Sequence, residues 1–245
     1  MNTRFLALEL RRAVRNGRYL IFTVVLPTVM FLLFINLYGG AGQRFQNGLS
    51  VTTSLMMNMA LFGVIAGPLA IGARIAVERG SGWQRQLRLT PLSGAGYLFT
   101  KGALGMLVAL PGIVLVSIVG AVKGVELGAG QWLGVLGTLW LGAVPFVLFG
   151  IVVGLLASAD GMQAITGLAS MLFGLLGGIW IPADVAPEWL QSVMKVLPTY
   201  WIKQLTEAPL VSGVDVKTAL LVIGAWVVGL SVVAARRFRA DSARA

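Results

Sequence analysis

Residues 127–159 read LGAGQWLGVLGTLWLGAVPFVLFGIVVGLLASA, with no lysine, arginine, aspartate or glutamate among them. A hydrocarbon core of roughly 30 Å is crossed by about 20 mainly apolar helical residues, and a charge near its middle costs several kcal/mol. The stretch is long enough to cross. On either side of it lie five more charge-free stretches, at 19–43, 45–73, 102–122, 161–183 and 218–235. All 19 basic and 9 acidic residues fall outside the six. This pattern predicts an all-α integral membrane protein with spans near 20–38, 54–76, 102–122, 131–157, 162–180 and 218–235. The segments left over are too short for a second globular domain, so a single transmembrane domain is expected over 1–245.

Composition agrees with this reading: 57% of residues are hydrophobic and 11% charged, against about 25% charged in soluble domains. The chain has no cysteine and no histidine. That excludes disulfides, thiolate chemistry and the usual nitrogen or sulfur ligands of zinc and copper. The net charge of +10 would suggest nucleic acid in a soluble protein, but here its placement decides its meaning. With an internal N-terminus, the inside segments hold Arg4, Arg11, Arg12, Arg15, Arg18, Arg74, Arg79, Arg85, Arg88, Lys101, Arg236, Arg237, Arg239 and Arg244, against Glu9, Glu78, Asp160 and Asp241. The outside segments hold Arg44, Lys123, Lys195, Lys203 and Lys217, balanced by as many acids. The positive-inside rule therefore predicts that both termini are cytoplasmic. The first apolar stretch is too long for a cleavable signal peptide, so it reads as a retained span.

What the spans lack constrains function further. Ion-coupled carriers and proton pumps generally need ionisable groups partway across the membrane, yet every carboxylate here falls in a loop or at a span end. Sodium coordination by carbonyls and hydroxyls stays open. Intramembrane catalysis would need a carboxylate pair, a serine with histidine or a metal cluster, and these partners are missing. The expectation is a chain that is not an enzyme. It also lacks a Gly-Lys-Ser/Thr phosphate loop, so if ATP drives it, hydrolysis belongs to a separate subunit. Glycine pairs spaced by four, such as Gly63 with Gly67, Gly150 with Gly154 and Gly174 with Gly178, permit close helix packing. At 32 glycines they are little commoner than chance, and no pair stands out.

Local patterns add candidate elements. Over residues 3–18, Arg4, Arg11, Arg15 and Arg18 share one side of a helix and Leu6, Leu10, Ala13 and Val14 the other, as in an interfacial amphipathic helix. A plain basic flank is the alternative. Pro27 should kink the first span. In the loop from Val77 to Lys101, Trp83 to Leu89 have room for two helical turns between Gly82 and Thr90-Pro91. Arg85 and Arg88 would lie on one flank, with Leu87 near Trp83, and a merely basic interfacial loop is the bland reading. In the outer segment from Ile181 to Lys217, Leu190, Val193 and Leu197 follow helical spacing, and an ordinary amphipathic loop helix explains them equally well. Asn36 and Asn58 are the spans' few amide side chains. They are candidates for a substrate path, although an interhelical hydrogen bond is the commoner role.

Taken in order, these stretches resemble the six-span permease subunits of ABC exporters, the ABC type 2 membrane family that includes antibiotic-resistance and polysaccharide exporters. Glu78-Arg79-x-x-Gly82, then Leu87-Arg88-Leu89-Thr90-Pro91-Leu92 and Lys101, resemble that family's loop between spans two and three. The resemblance implies a coupling helix docked into a groove of the ATPase, with Trp83, Gln84, Arg85, Gln86, Leu87 and Arg88 making the contact. Gly177-Gly178-Ile179-Trp180-Ile181-Pro182, Pro187-Glu188-Trp189-Leu190 and Leu197-Pro198-Thr199-Tyr200 resemble the re-entrant outer segment before the last span. Its candidate residues are Trp180, Pro182, Trp189, Pro198 and Tyr200. The basic N-terminal stretch resembles the family's elbow helix.

The resemblance implies a bacterial cytoplasmic (inner) membrane protein working as a homodimer or paralogous heterodimer in contact with lipid. It would bind no cofactor itself, while ATP and Mg sit on a partner ABC ATPase. It departs from many relatives in the Trp-Gln start of the coupling helix and in its short outer loops. Uncharged spans favour hydrophobic or amphipathic cargo, a drug, antibiotic or lipid, as in multidrug efflux. Two other classes remain: an ATP-independent channel or ion-coupled carrier, and a non-transporting membrane assembly factor.

Overall fold

The computed structural model describes residues 3–15, 17–38, 43–45, 48–82 and 94–243. Among these the backbone is almost wholly helical, and the one β-type pairing is an isolated bridge between Arg44 and Ser50. Six helical stretches are long and apolar enough to cross a membrane: Ile21–Tyr38, Val51–Gly80, Gly96–Val122, Ala129–Leu156, Ala159–Leu176 and Val216–Phe238. The chain is thus a multi-pass membrane protein, as the charge-free stretches predict.

The N-terminal amphipathic stretch forms α1 (Thr3–Val14), and a short α2 (Gly17–Leu20) leads into the first span. That span opens with a π-helical stretch at Ile21–Val25, where the Leu26 N–H donates to the Ile21 carbonyl, before α3 (Leu26–Tyr38). The cause lies two residues on. Pro27 has no N–H to give to the carbonyl of Thr23 and its ring crowds that turn, so the helix widens to accommodate it. Thr28 bridges the same region through its own hydroxyl, which donates to the Val24 carbonyl at 2.7 Å.

The second span, α4 (Val51–Gly80), begins at a Ser50 cap whose hydroxyl accepts the Thr53 N–H. It forms the axis of the bundle. Around it pack α3, α5 (Gly94–Val122), α7 (Ala143–Leu156) and α8 (Ala159–Leu176). Glycines set the closest of these contacts. A Cβ on Gly72 would lie 2.2 Å from the Gly150 carbonyl oxygen, and one on Gly154 would lie 2.4 Å from that of Gly72. The α4 and α7 backbones therefore touch without intervening side chains. Of the pairs spaced by four, Gly150 with Gly154 has a packing role that sequence counting does not reveal.

The fourth span is two helices, α6 (Ala129–Leu141) and α7, joined at Gly142. The fifth, α8, starts at a Ser158 cap and ends at Leu176. It stops short of the 180 suggested by the apolar stretch, because Gly178 turns the chain with φ +80°. The outer segment then carries a 3-10 turn (Ala183–Val185), α9 (Glu188–Met194) and α10 (Pro198–Glu207) before the last span, α11 (Val216–Ala243). Six crossings bring α1 and the end of α11 to one end of the bundle, here called proximal. The outer segment lies at the other, distal end.

Candidate functional site

The proximal end gathers charged groups that lie far apart in the sequence. Arg74, Glu78 and Arg79 share the last two turns of α4, where helical spacing puts them around the tip of the helix. Lys101 sits in the second turn of α5, and Glu9 lies in the middle of α1. Lys101 is fully buried and Glu9 nearly so. The Lys101 ammonium donates to Glu9 Oε2 at 2.8 Å and to Glu78 Oε1 at 2.5 Å. Tyr97, one turn earlier on α5, donates its hydroxyl to Glu78 Oε2 at 2.6 Å. Its ring stacks on Phe238 of α11 and lies 5.4 Å from the Lys101 nitrogen.

A buried ammonium is tolerated only where its donors are met by opposite charge, and here two carboxylates meet it. Arg12 approaches the other oxygen of Glu9 at 3.5 Å. Arg74 reaches from α4 to the carbonyls of Glu9 and Arg12, capping the last turn of α1. Arg79 donates to the Ala157 carbonyl at the end of α7. One helix tip thereby holds α1, α5 and α7 through hydrogen bonds that side chains supply.

This cluster frames a single loop. α4 ends two residues past Glu78, and α5 begins seven residues before Lys101, with residues 83–93 between them outside the description. The six docking candidates Trp83, Gln84, Arg85, Gln86, Leu87 and Arg88 lie outside the described residues. Of the amphipathic-helix candidates, Arg11 and Arg15 are exposed and line a shallow cleft with Leu8 and Arg12. Arg4 and Arg18 fall on helices, and their side chains are outside the description.

At the distal end the contacts are aromatic. Trp180 meets the edges of Phe34 (5.9 Å between centroids) and Phe62 (5.4 Å), fitting where Gly174 leaves no Cβ in its way. Trp201 donates its indole N–H to the Lys195 carbonyl at 2.7 Å, and Trp226 of α11 donates to that of Val196 at 2.9 Å. Pro198 opens α10 at a position where a missing N–H costs nothing, and Tyr200 stands edge-on to Trp201. Pro182 precedes the 3-10 turn, and Trp189 is among the most exposed aromatics. Glu207 is buried and paired with Lys203 at 2.7 Å. Leu190 and Leu197 are half-buried and Val193 is exposed.

The two amides part company. Asn36 turns back on its own helix, donating to the Leu32 carbonyl at 2.7 Å. Asn58, on α4, donates a long bond of 3.4 Å to the carbonyl of Ile179 in the turn after α8, and its buried Oδ1 has no hydrogen-bond partner among the described residues. No group of three or more metal-ligating side chains occurs among the described residues.

What sequence reasoning missed is the proximal cluster itself. Glu78 and Lys101 enter there as parts of the family-like loop motif and as charges near span ends, and nothing in the pattern brings them to Glu9. The one available signal was that Glu9 interrupts a basic helix.

Comparison with known proteins gives concordant results. The model of a family described as ABC-2 type transporter matches residues 4–207. A protein of Bacillus subtilis (strain 168) named "Putative transport permease YvfS" is 27% identical over 196 residues, which is 78% of each chain.

Proposed function

We propose that this chain, which belongs to the ABC-2 type transporter membrane family, is the permease subunit of an ATP-driven exporter powered by a separate ATPase subunit. The match spans most of the chain and is to a family of membrane permeases rather than enzymes. A permease of this kind needs a site where an external motor can push. The observation that carries the reading is the anchoring of loop 83–93, whose two roots are joined through Glu78, Tyr97 and Lys101. A loop with rigid roots transmits force, whereas a loop on frayed ends absorbs it.

On this reading Trp83 to Arg88 seat in the ATPase, which holds ATP and Mg, and the permease binds no cofactor of its own. The whole of 1–245 acts as one transmembrane domain in the bacterial cytoplasmic membrane, with the proximal end and both termini facing the cytoplasm. A second permease copy, identical or paralogous, completes the assembly. Closure of the ATPases around ATP shifts the permease between two states, driven by the differential affinity of nucleotide for them. The cargo is hydrophobic or amphipathic, consistent with spans that carry no charge at their centres. Asn36 and Asn58 are candidates for the path, and Trp180, Pro182, Trp189, Pro198 and Tyr200 shape its outer, re-entrant rim.

The test is co-expression with a candidate ABC ATPase subunit from the same genome. Co-purification is expected, together with loss of ATPase binding in a Trp83→Ala, Leu87→Ala, Arg88→Ala triple variant. Binding that survives the triple substitution would remove the docking assignment. Cargo movement in proteoliposomes holding this chain alone would favour an autonomous carrier instead.

A further inference from the structure

Lys101 takes part in more than holding the ends of one loop together. Its ammonium touches carboxylates from two different elements, Glu78 at the root of loop 83–93 and Glu9 in the middle of α1. With no part of Lys101 exposed and Glu9 at 2%, water cannot stand in for either partner. Other contacts hold α1 as well: Arg74 of α4 reaches the carbonyls of Glu9 and Arg12, and Leu6 and Leu10 pack against the apolar cluster that contains Ile75 and Leu104. An amphipathic helix at a membrane interface ordinarily rests there on apolar area and surface charge alone. In this chain it is bolted by buried charge to the two helices that carry the loop.

We propose that Lys101 is a positioning residue that makes α1 and both roots of loop 83–93 a single moving body. Displacement of the loop is thereby delivered to the interfacial helix at the same time as to the spans. This deepens the exporter reading and rests on it for the source of the push, but the clamp itself is a property of the chain alone. Arg12, 3.5 Å from Glu9 and largely exposed, cannot replace it, because its charge lies outside the buried contact. Tyr97 cannot either, since the hydroxyl it offers Glu78 carries no charge to match the Glu9 carboxylate.

The chain has no cysteine, so spin labels go only where they are introduced. One pair is placed at Ala7→Cys and Ser81→Cys, both exposed positions, on α1 and just past α4. A control pair at Ser81→Cys and Ser158→Cys reports the seating of α4 beside α7 and α8 without involving α1. In nanodiscs, pulsed distance measurements on the otherwise native chain should give one narrow peak for each pair. Lys101→Met should abolish the narrow α1 peak and leave the control peak, and Tyr97→Phe should leave both. If Lys101→Met disturbs the control as well, Glu9→Gln decides: it removes the charge on the α1 side while Glu78 still pairs with Lys101, and it too should release α1.

A narrow α1 peak that survives in Glu9→Gln, or in a well-seated Lys101→Met, overturns the proposal. With the ATPase bound, the native distance between positions 7 and 81 should be the same with and without ATP, whereas in Lys101→Met it should change between the two. A nucleotide-dependent change in the native chain also overturns it. If the ATPase does not bind the native chain, the exporter reading fails, and the peaks of the chain alone still decide the clamp.

Discussion

The two ends of this bundle hold their helices by different physics. Proximally, a buried ammonium between two carboxylates joins α1, α4 and α5. Distally, the edges of Trp180 seat the segment after α8 on α3 and α4, and indole-to-carbonyl bonds join α10 and α11 to the end of α9. The ionic arrangement is unforgiving, since removing one member leaves a buried charge unmatched. The aromatic arrangement is graded, since each contact is worth little and none leaves a charge behind. On the exporter reading proposed above, an end that is pushed suits the first and an end that opens to cargo suits the second.

That contrast can be broken most directly at Lys101. Lys101→Met should lower stability by about 3–5 kcal/mol, read as a drop in Tm in detergent, and the simultaneous loss of Glu9 and Glu78 charge (Glu9→Gln, Glu78→Gln) should recover part of it. If Lys101→Met unfolds no earlier than the native chain, the proximal end is not held by charge. Next in size is Gly72→Ala, whose new methyl would meet the Gly150 carbonyl. Overpacking of this kind costs about 1–3 kcal/mol, and it should move the proximal half while tryptophan emission from the distal end stays native.

Trp180→Ala removes two edge-to-face contacts, with an expected loss of about 1–2 kcal/mol. A loss equal to that of Lys101→Met would erase the distinction between the ends. Trp201→Phe, which deletes the bond to the Lys195 carbonyl while keeping a ring, should cost about 0.5–1.5 kcal/mol.

The smallest effect is expected at Asp215, fully exposed at the start of α11. The Thr218 hydroxyl and then the Thr218 backbone N–H donate to it and hold its carboxyl below the ordinary 3.8. A folded-state pKa below the unfolded one adds stability that is present above the unfolded value and lost as pH falls through the folded value. Asp215→Asn should therefore differ slightly from the native chain at neutral pH, and the difference should vanish at strongly acidic pH. The native carboxyl, followed by carbon NMR, should titrate below 3.8.

The six spans were legible because charge exclusion from a hydrocarbon core is a one-dimensional rule that needs no knowledge of contacts. The outer segment was legible in part: Pro187, Pro198 and the tryptophans mark its breaks, but nothing in the pattern says that Trp180 faces Phe34 and Phe62. The Lys101 cluster was not legible, because Glu9 and Lys101 are far apart in the chain and a charge at a span end looks the same whether it is solvated or buried. Glycine spacing failed for a related reason. The contacts of Gly72 and Gly154 depend on two helices crossing at one height, and a spacing of four within either helix does not encode that. The π-helical stretch before Pro27 was half legible: proline announced a defect, but sequence cannot choose between a bend and a widened turn.

Span four changes partners along its length. Below Gly142, the backbone of α7 lies against that of α4. Above it, α6 packs on α10, and a side chain on Gly142 itself would strike Ile202. The two halves of this span thus have different partners, and a twist of one half against the other passes through the link at Gly142. Gly142 is in mechanical terms the universal joint of this shaft, and a residue there that stiffened it would make the two halves of span four turn together.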